Sequence, residues 1–237
     1  MFEPQGAVPV EIVVSVYGSH LLWQATEGNQ WPTAEAAPLT FLRPMPIDRS
    51  VKAVLRAAML AHRHQAHAEI GAEAGALIAR QFFGVPLWQP GQCVAGYLPI
   101  GAEADPQPLM KALARRGAAL VLPVVTDRDS PLLFRAWQPG ARLAAGPKGT
   151  SHPTDEAALA IPDLLLVPLV AFDRFGGRLG YGAGYYDRTL AALRRTRPIV
   201  AVGVGYRAQW HDRLPSEPHD QRLDWIVTEC EVVEVKA

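Results

Sequence analysis

This 237-residue sequence predicts an α/β fold: a mostly parallel, Rossmann-like sheet with helices on both faces, forming a single domain. Three observations predict it. From about residue 90 onward, apolar runs alternate with helical patterns. The apolar runs are continuous rather than alternating in polarity, as strands covered on both faces must be. One of them passes through a glycine-rich turn straight into a helix.

Residues 1–47 stand apart as an N-terminal extension. They hold a short β-like run at 11–17, Trp23 and Trp31, and prolines at 32, 38, 44 and 46, and read equally as an added edge strand or as partly disordered chain. From Asp48 the texture changes. Asp48 or Ser50 caps a helix in which Val51, Val54, Leu55, Ala58 and Met59 recur at helical spacing. The pattern runs through an alanine-rich stretch to about Phe83, where Gly84 and Pro86 stop it. A strand follows at 93–98, a helix at 106–116, a strand at 118–125 and a hairpin strand at 132–137. Then come a polar loop at 140–155, a buried strand at 164–170, a helix at 185–195, a strand at 199–204 and a short closing strand at 225–228.

Composition excludes several classes. Hydrophobic residues make up 49% and charged residues 19%, the balance of a soluble globular chain with enough core to fold without disulfides. Lys plus Arg (23) equals Asp plus Glu (23), so no overall basic charge favours nucleic acid or an anionic membrane, and any anion site must be local. Cys93 and Cys230 are far apart and form no CxxC; each reads as a small buried hydrophobe in a reducing compartment. The first 42 residues carry no Lys or Arg, which speaks against a secretory leader, and the longest apolar run, 164–172, is less than half a membrane span. The expected location is the cytoplasm.

The chemistry concentrates in the segment 167–188. A buried strand ends in a polar turn, and Gly176, Gly177, Gly180, Gly182 and Gly184 lead into a helix. Such a loop lets backbone N–H groups converge on an anion, with the helix N-terminus behind them, which is a phosphate-binding geometry. The dinucleotide fingerprint and the lysine-containing P-loop both fail on spacing. His62, His64 and His67 crowd the first helix but read as a solvated face, and no serine-hydrolase elbow occurs.

The run Ala171-Phe-Asp followed by Gly177-Arg-Leu-Gly-Tyr-Gly-Ala-Gly-Tyr-Tyr-Asp-Arg188 resembles the signature of the 5-formyltetrahydrofolate cyclo-ligase (5,10-methenyltetrahydrofolate synthetase) family. The resemblance extends over about 50–235. It takes in Lys52, Leu55, Arg56 and Arg63, then Tyr97, Glu103, Asp105 and Pro106, and finally Glu217, His219, Asp220 and Glu229. It implies an ATP- and Mg2+-dependent closure of 5-formyltetrahydrofolate to 5,10-methenyltetrahydrofolate by a monomer, with no nucleic-acid or membrane partner. The formyl oxygen is phosphorylated, the N10 amine attacks that carbon, and phosphate leaves.

The resemblance also implies roles for individual residues. Lys52, Arg56 and Arg178 contact ATP and stabilise phosphoryl transfer. Leu179, Gly180, Tyr181, Gly182, Ala183, Gly184, Tyr185 and Tyr186 cradle the nucleotide. Leu98 and Glu103, with Tyr181 to Tyr185, face the folate, and Asp187 and Asp220 hold Mg2+. Two aspartates with phosphate oxygens and water are chemically sufficient for that ion. Tyr97, Trp137 and Phe172 are candidates to pack on the pterin. The chain departs from the pattern at 149–153, where His152 replaces a glutamate. That departure and the unmatched extension leave one rival: an inactive relative that binds a nucleotide or phosphorylated metabolite as a regulatory module.

Overall fold

The computed structural model describes residues 12–17, 20–25, 49–146 and 150–236. By internal contacts the chain divides into two compact units, 1–45 and 46–237. In the first, β1 (Ile12–Tyr17) and β2 (His20–Ala25) form an antiparallel hairpin, with Ile12 opposite Ala25 and Tyr17 opposite His20. The Val- and Ile-rich first strand is legible in sequence. Its partner, HLLWQA, lacks β-branched residues and gave no signal. Glu11 lies outside the described residues.

The second unit opens with α1 (Arg49–Phe82) and continues through β3 (Cys93–Ala95), α2 (Gln107–Arg115), β4 (Ala119–Val124) and β5 (Leu133–Ala136). After β6 (Leu143–Ala145) and β7 (Ser151–Pro153) come β8 (Leu164–Pro168), β9 (Ala171–Phe172), β10 (Arg178–Leu179) and α3 (Tyr185–Arg194). The closing elements are β11 (Val200–Val204), a 3-10 turn at Arg207–Gln209, β12 (Trp225–Val227) and β13 (Val232–Glu234).

Seven strands form the central sheet in the order β13-β12-β11-β8-β3-β4-β5. The inner five run parallel, and β13 and β5 close the two edges antiparallel. Strand β8 at the centre shows why its sequence is uniformly apolar. Leu164 and Leu166 pack on one face with Ala74, Ile78 and Phe82 of α1 and Leu109 and Leu113 of α2. Leu165 and Val167 pack on the other face with Leu190 of α3. Helices therefore cover both faces, as a mostly parallel sheet requires.

The sheet positions the site through its connectivity. The chain runs from β3 outward to β4, then returns to lay β8 on the other side of β3, and continues outward to β11 and β12. Strand order thus reverses between β3 and β8. The crevice beyond the carboxyl ends of two such strands is where open α/β sheets bind ligands.

Three readings are corrected. The polar stretch 140–155 is not plain loop: it contains the β6–β7 hairpin, whose alanines and polar residues carry no strand pattern. The chain does not close with the strand at 225–227, because β13 folds back on it. Cys230, on the turn between them, is exposed rather than buried.

Leu166 is 1% exposed, so Leu166→Ala should lower the unfolding free energy by about 2–5 kcal/mol, read by urea denaturation. Val54, on the outer face of α1 and 72% exposed, should tolerate alanine within about 0.5 kcal/mol in the same measurement.

Candidate active site

Helix α1 contributes one row of side chains to the sheet-facing side. Met59, Arg63, Ala66, Ala74, Ile78 and Phe82 are buried at spacings of three, four or eight residues, as a single helical face dictates. Lys52 and Arg56 continue that row toward the N-terminus, where the apolar core gives way to the loops after β8 and before β12.

The turn after β9 is built by Asp173. Its Oδ1 accepts from the N–H groups of Phe175 (2.9 Å) and Gly177 (2.8 Å), and its Oδ2 from Leu214 N–H (2.8 Å). Gly176 sits at φ 79°, and a Cβ there would lie 2.6 Å from the Leu223 carbonyl oxygen. The chain returns as β10, with Arg178 opposite Phe172, and enters the loop 180–184. Gly184 caps α3 in the left-handed conformation at φ 71°, a backbone state that glycine alone adopts at little cost, and no side chain bonds the first N–H groups of the helix. The helix N-terminus therefore presents its donors and its positive dipole end to the loop.

Side chains from distant segments converge on this loop. Arg56 Nε donates to the Gly180 carbonyl at 2.7 Å. Arg178, its side chain 5% exposed, donates to Asp187 Oδ1 at 2.8 Å, and the same oxygen accepts from Gln221 N–H at 3.1 Å. Asp187 is thereby placed beside the segment that carries Asp220. Lys52 Nζ bonds Glu217 Oε2 at 2.6 Å and Asp220 Oδ2 at 2.8 Å. Burial would lower the Lys52 ammonium, but its bonds to Asp220 and Glu217 outweigh burial and hold it above its ordinary value. The Glu217 carboxyl is held below its ordinary value by the Lys52 hydrogen bond.

In the loop after β3, Glu103 is 4% exposed and accepts from Ile100 N–H at 2.9 Å. Burial raises its carboxyl above the ordinary value, against the opposing pull of the Ile100 N–H and of Arg63. A cleft of about 580 Å³ opens beside it, between the second half of α1 (His67, Ile70) and the loop after β3 (Pro99, Gly101, Asp105).

This glycine loop and its convergent partners coincide with a family pattern, since residues 48–229 match the model of the 5-formyltetrahydrofolate cyclo-ligase family. The chain belongs to this family. The cyclo-ligase of Mycolicibacterium smegmatis is 35% identical over 145 residues, covering 58% of this chain and 74% of that protein. The cyclo-ligase of Escherichia coli K12 is 36% identical over 148 residues, covering 60% and 80%. The solved 5,10-methenyltetrahydrofolate synthetase of Aquifex aeolicus superposes with a TM-score of 0.66 at 30% identity, covering 79% of this chain and 94% of that one.

Among the sequence-predicted positions of this cyclo-ligase family member, the structure brings together Lys52, Arg56, Arg178, Asp187, Asp220 and the loop 180–184. Leu179 turns its side chain into a small core with Met59, Val170, Ala171 and Leu214, so only its backbone faces the site. Leu98 packs at the edge of the main core. Tyr185 and Tyr186 lie partly against the core of the α3 face, and burial, with the Glu103 charge behind it, raises the Tyr186 phenol. Tyr181 is 52% exposed.

The three aromatic candidates for the pterin are all buried. Phe172 is fully buried and meets Trp210 edge-on; Trp137 lies in the main core; and buried Tyr97 spends its hydroxyl on the Ala104 carbonyl at 2.7 Å. The Tyr181 ring, by contrast, is exposed. His152 sits in β7 with Nδ1 2.8 Å from the Pro153 carbonyl, and Gly149 beside it lies outside the described residues. His64 bonds the Leu60 carbonyl and His67 the Tyr206 hydroxyl, so these two histidines share no ligand.

Sequence reasoning missed three contributors. Glu217 joins His219 and Asp220 in a group with metal-ligand spacing, their ligand atoms within 4.8 Å of one another. Arg188 pins the loop by donating to the Ala183 carbonyl at 2.9 Å and the Arg128 carbonyl at 2.7 Å. Arg63 is buried between Tyr181 and Glu103. All three stood inside the resembling segments, but the contacts that tie them to the site, Glu217 to Lys52, Arg188 to Arg128 and Arg63 to Tyr181, span 60 residues or more.

The Glu103 shift carries a sign. Its folded value lies above the ordinary 4.5, so the folded chain keeps this proton to higher pH than the unfolded chain, and rising pH through that interval costs stability. Glu103→Gln removes the titration. Unfolding free energies of the two proteins, measured between about pH 4 and 7, should therefore shift in the variant's favour as pH rises. A difference that stays flat over that range would count against the buried-carboxyl account.

Proposed function

We propose that this protein closes 5-formyltetrahydrofolate to 5,10-methenyltetrahydrofolate with consumption of ATP, and that residues 48–237 do so as a cytoplasmic monomer. The observation that carries the reading is the placement of Arg56 and Arg178 on a glycine loop backed by an uncapped helix N-terminus, with Lys52 on the adjoining 217–220 segment and a buried carboxylate lining a cleft. The first arrangement suits a triphosphate, and the second suits a ring bearing amino and N–H donors.

The reaction is a transfer of phosphate to a formyl oxygen followed by ring closure. The formyl oxygen displaces ADP from the γ-phosphorus. The N10 amine then attacks the formyl carbon and loses its proton, and the former formyl oxygen departs with phosphate. Catalysis of this kind is chiefly positioning and charge neutralisation. Lys52 and Arg56, one helical turn apart on α1, would meet the phosphates from one side. The N–H groups of 181–184 and of the first turn of α3 would meet them from the other. Glu103 would accept hydrogen bonds from the pterin, while the exposed Tyr181 ring flanks the reacting region.

Asp220, with Glu217 beside it, and Asp187 linked through Gln221 fit a hard divalent cation: they are carboxylate oxygens near the phosphate loop, few in number and open enough to leave room for water. Mg2+ bound there would neutralise phosphate charge. His152 lies in the β6–β7 hairpin and gives no ground for preferring the inactive-relative reading.

Purified protein given 5-formyltetrahydrofolate, ATP and Mg2+ should produce the near-ultraviolet absorbance of the methenyl product, whereas folded protein that binds ATP without forming product would support the regulatory reading. Arg178→Ala and Asp187→Asn should each lower turnover by about 100- to 1,000-fold with the fold intact by circular dichroism. Lys52→Met should raise KM for ATP by about 10- to 100-fold, the loss expected for a hydrogen bond to a charged group.

A further inference from the structure

The cationic row of α1 does not end at Arg56. Arg63 lies seven residues further on the same face and is 2% exposed, yet its guanidinium is only partly satisfied. Nη2 donates to the Tyr181 hydroxyl, and the group lies 5.2 Å from the Tyr181 ring centroid. Nε and Nη1 have no hydrogen-bond partner among the described residues. The nearest carboxylate, Glu103, stands 3.9 Å from Nη1, beyond hydrogen-bond reach, and its other oxygen is committed to Ile100 N–H.

A buried charge kept for structure alone would have its donors met, because unmet donors in a dry site are costly. Two unmet nitrogens on an arginine held through its third by Tyr181 describe a fixed cation with donors left for an acceptor. Its position identifies that acceptor. On one side lie Arg56 and the loop that would hold the triphosphate; on the other lies Glu103 with the folate cleft. The atoms passing between those two places are the oxygens of the phosphoryl group.

We propose that Arg63 is a catalytic residue of this reaction, donating through Nε or Nη1 to an oxygen of the phosphoryl group as it moves from ATP to the formyl oxygen. The inference rests on the cyclo-ligase reading above. A rigid, always-charged guanidinium can hold the Tyr181 hydroxyl with one nitrogen and still offer another to a phosphate oxygen, which the single ammonium of a lysine does not reproduce. Its contribution grows as charge spreads over the transferring group, so it acts on the transition state rather than on either substrate alone.

The test uses the full-length protein and its Arg63→Lys and Arg63→Gln variants, with thermal melting as the check on folding. The expected result is a fall in kcat of about 100-fold or more in both variants. Separate affinities for Mg-ATP and for 5-formyltetrahydrofolate, measured by equilibrium dialysis, should stay within about threefold, because ground-state binding is not what Arg63 supplies. ADP with fluoroaluminate, a mimic of the phosphoryl group in flight, should bind the wild-type folate complex tightly and the variants weakly. A kcat close to wild type, or a loss confined to KM for the folate, overturns the proposal. A wild-type protein that forms no product in the same assay overturns the cyclo-ligase reading instead. Should both variants fail to fold, a structure of the wild-type complex with ADP, fluoroaluminate and 5-formyltetrahydrofolate decides the matter. Arg63 Nε or Nη1 donating to the fluoroaluminate supports the role, and a guanidinium still bonded to Tyr181 alone refutes it.

Discussion

The site depends on one face of one helix changing character along its length. The C-terminal two-thirds of α1 buries Ala66, Ala74, Ile78 and Phe82 against β3, β4, β8 and α2, and this apolar contact fixes the helix on the sheet. The part of the helix before Ala66, on the same face, carries Lys52, Arg56 and Arg63 in place of most of the aliphatic side chains. A helix of 34 residues is about 51 Å long, so a small error in docking angle would displace its far end by several ångströms. Tight packing at one end therefore aims the cations at the other. Met59, buried with Leu179 and Leu214 beneath the glycine loop, is the one apolar residue among them and ties that end down locally.

What the cations are aimed at follows from sheet connectivity. Reversal of strand order between β3 and β8 leaves their carboxyl ends side by side, with chain leaving each in a different direction. The exit from β3 delivers Glu103, and the exit from β8 delivers the Asp173 turn and the loop 180–184. Neither exit makes a site alone. Arg63, bonded to Tyr181 on one exit and facing Glu103 on the other, is the side chain that spans them.

This division explains which features were legible in the sequence. The α/β class, the long helix and the central strands could be read because each expresses a local rule: period 3.6, or an uninterrupted apolar run. The glycine loop could be read because its glycines fall close together in sequence. The β6–β7 hairpin and β13 escaped because their pairing partners, rather than their own composition, make them strands. Glu217, Arg188 and Arg63 escaped as site members for a related reason: a surface arginine and a buried one have the same letter, and only the fold shows that Arg63 is enclosed. Burial was equally hidden for Phe172 and Trp137, which β9 and the end of β5 carry into the core.

Charge balance completes the argument. Each cation at the loop is already opposed by protein oxygen: Lys52 by Glu217 and Asp220, Arg178 by Asp187, and Arg56 by the Gly180 carbonyl. Half-buried cations grouped around an empty anion site would repel one another and destabilise the fold, and nearby carboxylates remove that penalty. In the proposed reaction those same carboxylates become useful when the phosphates arrive, because a triphosphate brings enough negative charge to engage the cations and leave the acids to a metal ion. The equality of 23 basic and 23 acidic residues says nothing about where charge lies, but a site of this design keeps the chain balanced locally as well. Arg63 is the exception. Its nearest carboxylate, Glu103, is pushed by burial toward its neutral form and stands beyond hydrogen-bond reach, so the guanidinium keeps donors in reserve where, in the proposed reaction, the two substrates would meet.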